Sequence, residues 1–235
     1  MSTAKYAPVA NSVLRALSRQ ESQRLLASCK QVSLTYGDIL CEPGEQIRHV
    51  YFPDNGLISL LTPVSDHASV EVGLVGSEGM AGISLLLGIN VSPVRALVQG
   101  SGTAMRMNVA SFRNEIKRSP ALQRSLNHYL YALMVQVAQT AACNRHHLLG
   151  ARLARWLLMT HDRIGSNKFY LTQEFLAHML GVRRAGVTRA AGVLQKNKLI
   201  HYSRGTITIL SRKGLERISC GCYRAVNEIC DRMLG

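Results

Sequence analysis

Two groups of residues in this chain have the types and spacing to do chemistry. The first is a set of fixed cations, Arg183, Arg184, Arg189 and Lys196, with Arg204 a little further on. A guanidinium is a planar fork of donors that keeps its charge at any ordinary pH. It can hold guanine O6 and N7 together, or grip a phosphate. The second group is sulfur and imidazole. Cys143, His146 and His147 stand at i, i+3 and i+4, one face of a helix, and Cys220 and Cys222 form a close pair. The first three can ligate a metal, but spacing supplies no fourth ligand. The Cys-x-Cys pair can bind metal or switch by oxidation, yet reduced structural thiols satisfy both sets. No metal or cofactor is assigned from the sequence.

The cations need a scaffold, and Leu171–Arg189 supplies it. Thr172 is a good N-cap, and Phe175, Leu176, Met179 and Leu180 recur at helical spacing before Gly181 ends the helix. Val182 can pack between this helix and the next, which starts at Arg183–Arg184 and turns Val187, Val193 and Leu194 inward. Its other face is Arg184, Ala185, Thr188, Arg189 and Lys196. A short helix, a Gly-containing turn and a second helix basic on one face make a helix-turn-helix, whose second helix lies in the DNA major groove. A plain helical corner with a solvated basic face has the same spacing.

Bulk charge favours the first reading. The net charge is +14 over 235 residues. Residues 143–235 hold 16 Lys/Arg against 5 Asp/Glu, a net of +11, whereas residues 1–142 hold 12 against 9, a net of +3. A polyanion would be steered to the half with the helix-turn-helix. RNA or an anionic membrane also fits the charge, but the groove-sized helix favours DNA.

The start, Met1 to Ser12, lacks the apolar centre of a signal peptide and reads as a loose lead-in to a cytoplasmic protein. No run approaches the ~18 apolar residues of a membrane span. The six cysteines show no paired CxxC units and read as reduced thiols. Ser12–Cys29 reads as one amphipathic helix. Beyond Gln31 the period becomes two, with turns at Tyr36–Asp38 and Glu42–Glu45. Strand-like runs follow at 39–41, 49–52, 57–61, 69–75, 94–99 and 103–107, a small antiparallel roll or barrel. Inside it, Gly76–Gly88 is a Gly-rich loop entering a short apolar helix. Its amides can cradle a phosphate, or its glycines simply turn a corner.

Val109–Lys117 is a short helix, and Pro120 opens a long one reaching Asn144. Along it Leu126, Leu130, Leu133, Val137 and Thr140 are spaced by four and three, as in a coiled-coil dimer seam. The same stripe could instead lie against its own domain. Leu148–Ile164 is a further amphipathic helix. After the helix-turn-helix, strands 199–202 and 206–210 flank Ser203-Arg204-Gly205, a hairpin whose tip suits a phosphate contact. A last helix runs from Lys213 toward Cys230. No catalytic motif is visible: GxSxG, HExxH and the P-loop are all missing, and Gly100-Ser101-Gly102 continues as Thr103-Ala104-Met105, not GxGxxG.

The order of roll, long helix and winged helix-turn-helix resembles the Crp/Fnr family of bacterial transcription regulators. The resemblance spans nearly the whole chain and is most specific in RLARWLL, LTQEFLAHMLGVRRAGVTRAAGVLQKNKLI and the YSRGTITIL wing. It implies an α+β fold: a cyclic-nucleotide-binding-like antiparallel β-roll over 1–118, a dimerisation helix over 119–144 and a winged helix-turn-helix over 145–235. It further implies a homodimer on palindromic double-stranded DNA, with RNA polymerase as a protein partner. Arg184 and Arg189 match the family's base readers. Thr172, Arg183, Lys196 and Arg204 complete the expected DNA contacts, with Thr188 placed to meet a thymine methyl. Ala185 departs from the family, many of whose members carry a glutamate there, so the commonest half-site does not carry over.

The roll departs as well. Cyclic-nucleotide-binding members have a Gly-Glu pair followed by an arginine in the phosphate loop. The matching stretch here is Gly79, Met80, Ala81 and Gly82, with Arg95 the nearest arginine. These five residues are the expected effector pocket, altered or vestigial, for something other than a cyclic nucleotide. The rival to a DNA-reading regulator is a redox or small-ligand sensor that works through protein partners and touches nucleic acid loosely.

Overall fold

A computed structural model describes residues 10–65 and 68–234. The loose lead-in expected from Met1 lies almost wholly outside them. The single N-terminal helix expected over Ser12–Cys29 is two helices, α1 (Ser12–Arg15) and α2 (Arg19–Ala27). Ser18 makes the break. Its hydroxyl accepts from the Glu21 amide and the Glu21 carboxylate reaches back to the Ser18 amide, a capping box that restarts the helix. Asn11 caps α1, and its side-chain amide donates to the carbonyls of Pro53 (3.0 Å) and Gly79 (2.8 Å), fixing the helix to the roll.

Among the described residues the roll has seven strands: β1 (Lys30–Leu34), β2 (Ile39–Cys41), β3 (His49–Pro53), β4 (Leu57–Ser65), β5 (Ala68–Val75), β6 (Arg95–Gly100) and β7 (Gly102–Asn108). They form two antiparallel sheets in the orders β1-β7-β3 and β2-β6-β4-β5. β1 has no sequence signal because only Leu34 is buried. Pairing with β7, from Lys30 opposite Arg106 to Leu34 opposite Gly102, makes it a strand. Between β5 and β6 the Gly-rich stretch ends in a 3-10 turn over Ile83–Leu87. Gly82 and Gly88, at φ +92° and +81°, bracket it in the left-handed region.

Helix α3 (Val109–Arg118) leads to α4 (Pro120–His146), which has Pro120 in its first turn and the Ser119 hydroxyl accepting from the Leu122 amide. One face of α4 closes the roll: Leu122, Leu126, Tyr129 and Leu133 join Phe52, Met80 and Phe112 in a single core. Gly79 lies under the Tyr129 ring, where an added Cβ would come within 1.9 Å of a ring carbon, so only glycine fits.

The C-terminal part runs α5 (Leu149–Ile164), β8 (Lys168–Tyr170), α6 (Gln173–Leu180), α7 (Arg184–Lys196), β9 (Ile200–Ser203), β10 (Thr206–Ile209), α8 (Arg212–Ile218) and α9 (Cys222–Leu234). Its small sheet has the order β8-β10-β9. β8, three residues long, is too short to show a period. The single last helix expected from Lys213 is broken at Ser219–Gly221, and α9 turns away to pack along α4.

Roll and C-terminal part share a second core, in which Leu57, Leu61 and Leu74 meet Trp156, Leu157, Leu176 and Leu180. Two polar contacts cross the same boundary. Trp156 donates from Nε1 to Glu71 (2.8 Å), and Arg163 pairs with Glu78 (2.8 Å). Among the described residues no helix is long and apolar enough to cross a membrane.

Candidate nucleic-acid interface

The reading face is built from local rules. The Thr172 hydroxyl accepts from the Phe175 amide (3.1 Å) and starts α6, and Gly181, at φ +62°, stops it. Val182 is half-buried between the helices. Helix α7 buries Val187, Ala191 and Leu194, a spacing of four and three that defines one side. Val193, expected to point inward, is instead 57% exposed. It stands six residues from Val187, on another side of the helix, and Ala191 takes the inward place. At Gly186 a Cβ would approach Leu149 to 3.1 Å, so its smallness lets α7 lie close on α5.

With that side anchored, Arg183, Arg184, Ala185, Thr188, Arg189 and Lys196 are all exposed. The Thr188 hydroxyl lies 2.6 Å from Gln173 Oε1 and 3.1 Å from the Arg184 carbonyl, so it is used within the protein. At the wing tip Arg204 (φ +48°) and Gly205 (φ +77°) both have positive φ, the pattern of a type I′ hairpin turn, with exposed Arg204 at its first central position. The wing is tied to the helix-turn-helix: the Leu171 amide donates to the Gly205 carbonyl (2.6 Å) and the Tyr202 hydroxyl to the Leu171 carbonyl (2.8 Å).

Between wing and α7 lies an open cleft of about 380 Å³, lined by Tyr170, Thr172, Gln173, Arg184, Tyr202 and Arg204. Two guanidiniums from different elements thus line one concavity with no acidic residue in its lining, an arrangement fitted to a polyanion. Gln173 and Tyr202 were not expected to take part. The only signal for Gln173 was its place just after the N-cap.

The dimer seam expected on α4 is rotated. Leu126 and Leu133 are buried in the roll core, and Thr140 turns to its own chain, accepting from Arg155 (2.8 Å). Neither Leu126 nor Leu133 can face a second copy. Leu130 is half-buried and Val137 37% exposed, and both flank a different stripe: Tyr131 (48% exposed), Met134 (62%), Ala138 and Ala141. That stripe has the same three-and-four spacing, so periodicity alone could not choose between the two.

The expected effector pocket is partly displaced. A cavity of about 350 Å³ inside the roll is lined by Met80, Ala81 and Gly82, but its other walls are largely apolar, among them Leu40, Ile47, Leu60, Val72 and, from α4, Leu133 and Val137. Gly79 is covered by Tyr129 and does not line it. Arg95 does not either: its guanidinium pairs with Glu42 at 2.7 Å. Two of the loop amides are committed. Ala81 and Tyr51 exchange backbone hydrogen bonds (2.9 and 3.2 Å), and the Gly79 amide donates to the Gly76 carbonyl (3.2 Å). Gly82 and Gly88, both at positive φ, turn a corner.

The sulfur and imidazole groups separate differently from their sequence order. His146 is exposed and stands apart, whereas Cys143 and His147 meet Cys220 and Cys222. The Cys143 and Cys220 sulfurs are 3.4 Å apart, and Cys222 Sγ is 3.5 Å from His147 Nδ1. The hydrogen bond with Cys220 draws the Cys143 thiol down to about 7.

Residues 151–218 match the family model of the Crp-like helix-turn-helix domain. No curated protein matches the chain by sequence. Among solved structures, FixK2 from Bradyrhizobium japonicum has a TM-score of 0.69 at 14% identity, covering 82% of this chain and 98% of its own. A Crp/Fnr-family transcriptional regulator from Thermus thermophilus has a TM-score of 0.66 at 21% identity, covering 81% and 98%. The c-di-GMP responsive global regulator CLP of Xanthomonas campestris has a TM-score of 0.67 at 16% identity, covering 83% and 100%. These likenesses extend the Crp/Fnr fold over most of the chain. The chain therefore carries a Crp-like helix-turn-helix domain, at residues 151–218, on a fold like that of these regulators.

Proposed function

We propose that the protein binds a palindromic operator as a homodimer, with one α7 in each of two successive major grooves. The observation that carries this reading is the α7 face itself, where Arg184, Ala185, Thr188 and Arg189 stand exposed on a helix anchored by Val187, Ala191 and Leu194. Arg184 and Arg189 read base edges, Thr188 offers a methyl to thymine, and Arg183, Lys196 and Arg204 hold phosphates, with Thr172 beside the Arg184–Arg204 cleft. Ala185 has no acceptor for a cytosine amino group, so that position of the half-site is read by other means.

Dimerisation through Tyr131, Met134, Ala138 and Ala141 of paired α4 helices places the two heads about 34–36 Å apart, one DNA turn. The roll carries the signal. Its cavity is apolar and Arg95 is paired with Glu42, which favours a small apolar effector over a cyclic nucleotide. A bound effector would touch Leu133 and Val137, and so act directly on the dimer helix. The protein works in the cytoplasm and addresses RNA polymerase from its operator.

Selection of bound duplexes from a random pool tests the reading. It predicts a two-fold symmetric consensus with half-sites one turn apart, bound more tightly than random duplex at every salt concentration. Equal affinity for selected and random duplexes would replace it with a sensor that touches nucleic acid only loosely and acts through protein partners.

A further inference from the structure

The fold joins two pairs of ligand-type residues from opposite ends of the C-terminal part. Cys143 and His147 stand four apart at the end of α4, hence on one face. Cys220 and Cys222 lie at the break between α8 and α9, 73 or more residues further along the chain. All four ligating atoms, three Sγ and one imidazole nitrogen, lie within 4.8 Å of one another. The three cysteines are buried. A tetrahedral zinc with Zn–S near 2.3 Å needs sulfurs about 3.8 Å apart and a sulfur–nitrogen separation of about 3.6 Å. The contacts of 3.4 Å (S···S) and 3.5 Å (S···N) are close to those values. A disulfide requires sulfurs about 2.05 Å apart, and all six cysteines are free.

From this geometry we infer that Cys143, His147, Cys220 and Cys222 form a mononuclear zinc site that clamps the DNA-binding domain to the long helix. Three thiolates and one imidazole satisfy zinc's preference for sulfur and nitrogen and leave the site with one net negative charge. The surroundings suit that charge. Arg155, 6% exposed, has an Nε with no partner among the described residues, and so does Arg152; both belong to α5, which starts two residues after His147. Gln139 donates from Nε2 to Cys222 Sγ (3.0 Å), the outer contact that orients a ligating sulfur. The helix ends agree too: Cys222 is the first residue of α9, where the dipole favours a thiolate, and the carboxyl end of α4 favours a cation. Apolar packing explains three buried cysteines but does not explain the imidazole nitrogen turned toward them.

The site ties the end of α4 to the α8–α9 junction, and so fixes the angle at which the reading head leaves the dimer helix. That consequence rests on the DNA-reading function proposed above; the metal chemistry does not. The test uses the full-length chain without a histidine tag, reconstituted with zinc under reducing conditions. It should hold one zinc per chain, and cobalt in its place should give thiolate-to-metal charge transfer and the strong visible bands of a tetrahedral site. Cys143→Ser and Cys222→Ser should lose both signals, while Gln139→Leu, which leaves the ligands intact, should weaken zinc binding by about 10–100-fold. Failure of the wild-type chain to hold zinc or cobalt overturns the site, as does metal retained by the Cys143→Ser/Cys222→Ser double variant, or a Cys143–Cys220 disulfide forming in place of metal binding. Zinc removal should lower affinity for the selected duplex about tenfold. Unchanged affinity would overturn the clamp but not the site, and failure of both forms to prefer the selected duplex would count against the DNA-reading function alone.

Discussion

The roll and the winged domain are built on opposite principles. The winged domain presents its cations outward: six residues of one helix face and the wing-tip arginine are exposed, and the buried positions of α7 are aliphatic. The roll turns the relation inward. Its cavity is apolar, Arg95 beside it is paired with Glu42, and the Gly79 and Ala81 amides of its loop bond to its own backbone. A surface that reads a polyanion can be diagnosed from charge. A pocket that has given up its charged groups keeps the shape of a sensor and loses the chemical signature of its ligand.

That contrast can be broken most severely at the helix connecting the two. Met134→Asp, on the exposed stripe of α4, should convert the dimer to a monomer in sedimentation velocity and cut affinity for the palindrome by about 100- to 10,000-fold, because the second head no longer binds intramolecularly. Leu126→Ala should do the reverse. It removes about 2–5 kcal/mol of stability from the roll core and leaves the dimer assembled.

At the boundary the difference can be read as a pH dependence. Burial pushes the Glu71 carboxyl from 4.5 up to about 7, despite hydrogen bonds from Ser59 and Trp156. Between those two values the folded protein holds a proton that the unfolded chain has released. Stability should therefore fall as pH rises from about 4.5 to 7, by up to about 3 kcal/mol, and be flat above. Glu71→Gln should abolish that slope and unfold at a higher temperature than wild type at pH 8, measured by thermal denaturation across the pH range.

Smaller effects separate the arginines. Arg204→Ala should weaken binding to all duplexes alike and reduce the slope of log affinity against log salt by about one unit. Arg95→Ala should change stability by less than about 1 kcal/mol, since its pair with Glu42 is well exposed, and leave DNA binding untouched.

The reading helix was legible in the sequence because each part has a local cause: Thr172 caps, Gly181 stops, and Val187 and Leu194 give the inward side. Where a local rule had two solutions, the sequence could not choose. Leu126, Leu130 and Leu133 alternate by four and three just as Tyr131, Met134 and Ala138 do on α4, and only packing of Leu126 and Leu133 with Phe52 and Phe112 shows which stripe is covered. Ser18 broke a helix whose apolar pattern continues through it, since a capping box costs little in periodicity. The cysteine cluster was illegible for a different reason. Cys143 and Cys220 become neighbours only because α9 doubles back along α4, a tertiary event with no trace in their spacing.

The central claim, that α7 reads bases through Arg184, is tested most directly by selecting duplexes from one random pool with wild type and with Arg184→Ala. The account predicts that the variant loses preference at one symmetric pair of positions, where the best base falls toward the others by about 1–3 kcal/mol, and keeps its half-site spacing. An unchanged ranking of sites would contradict it.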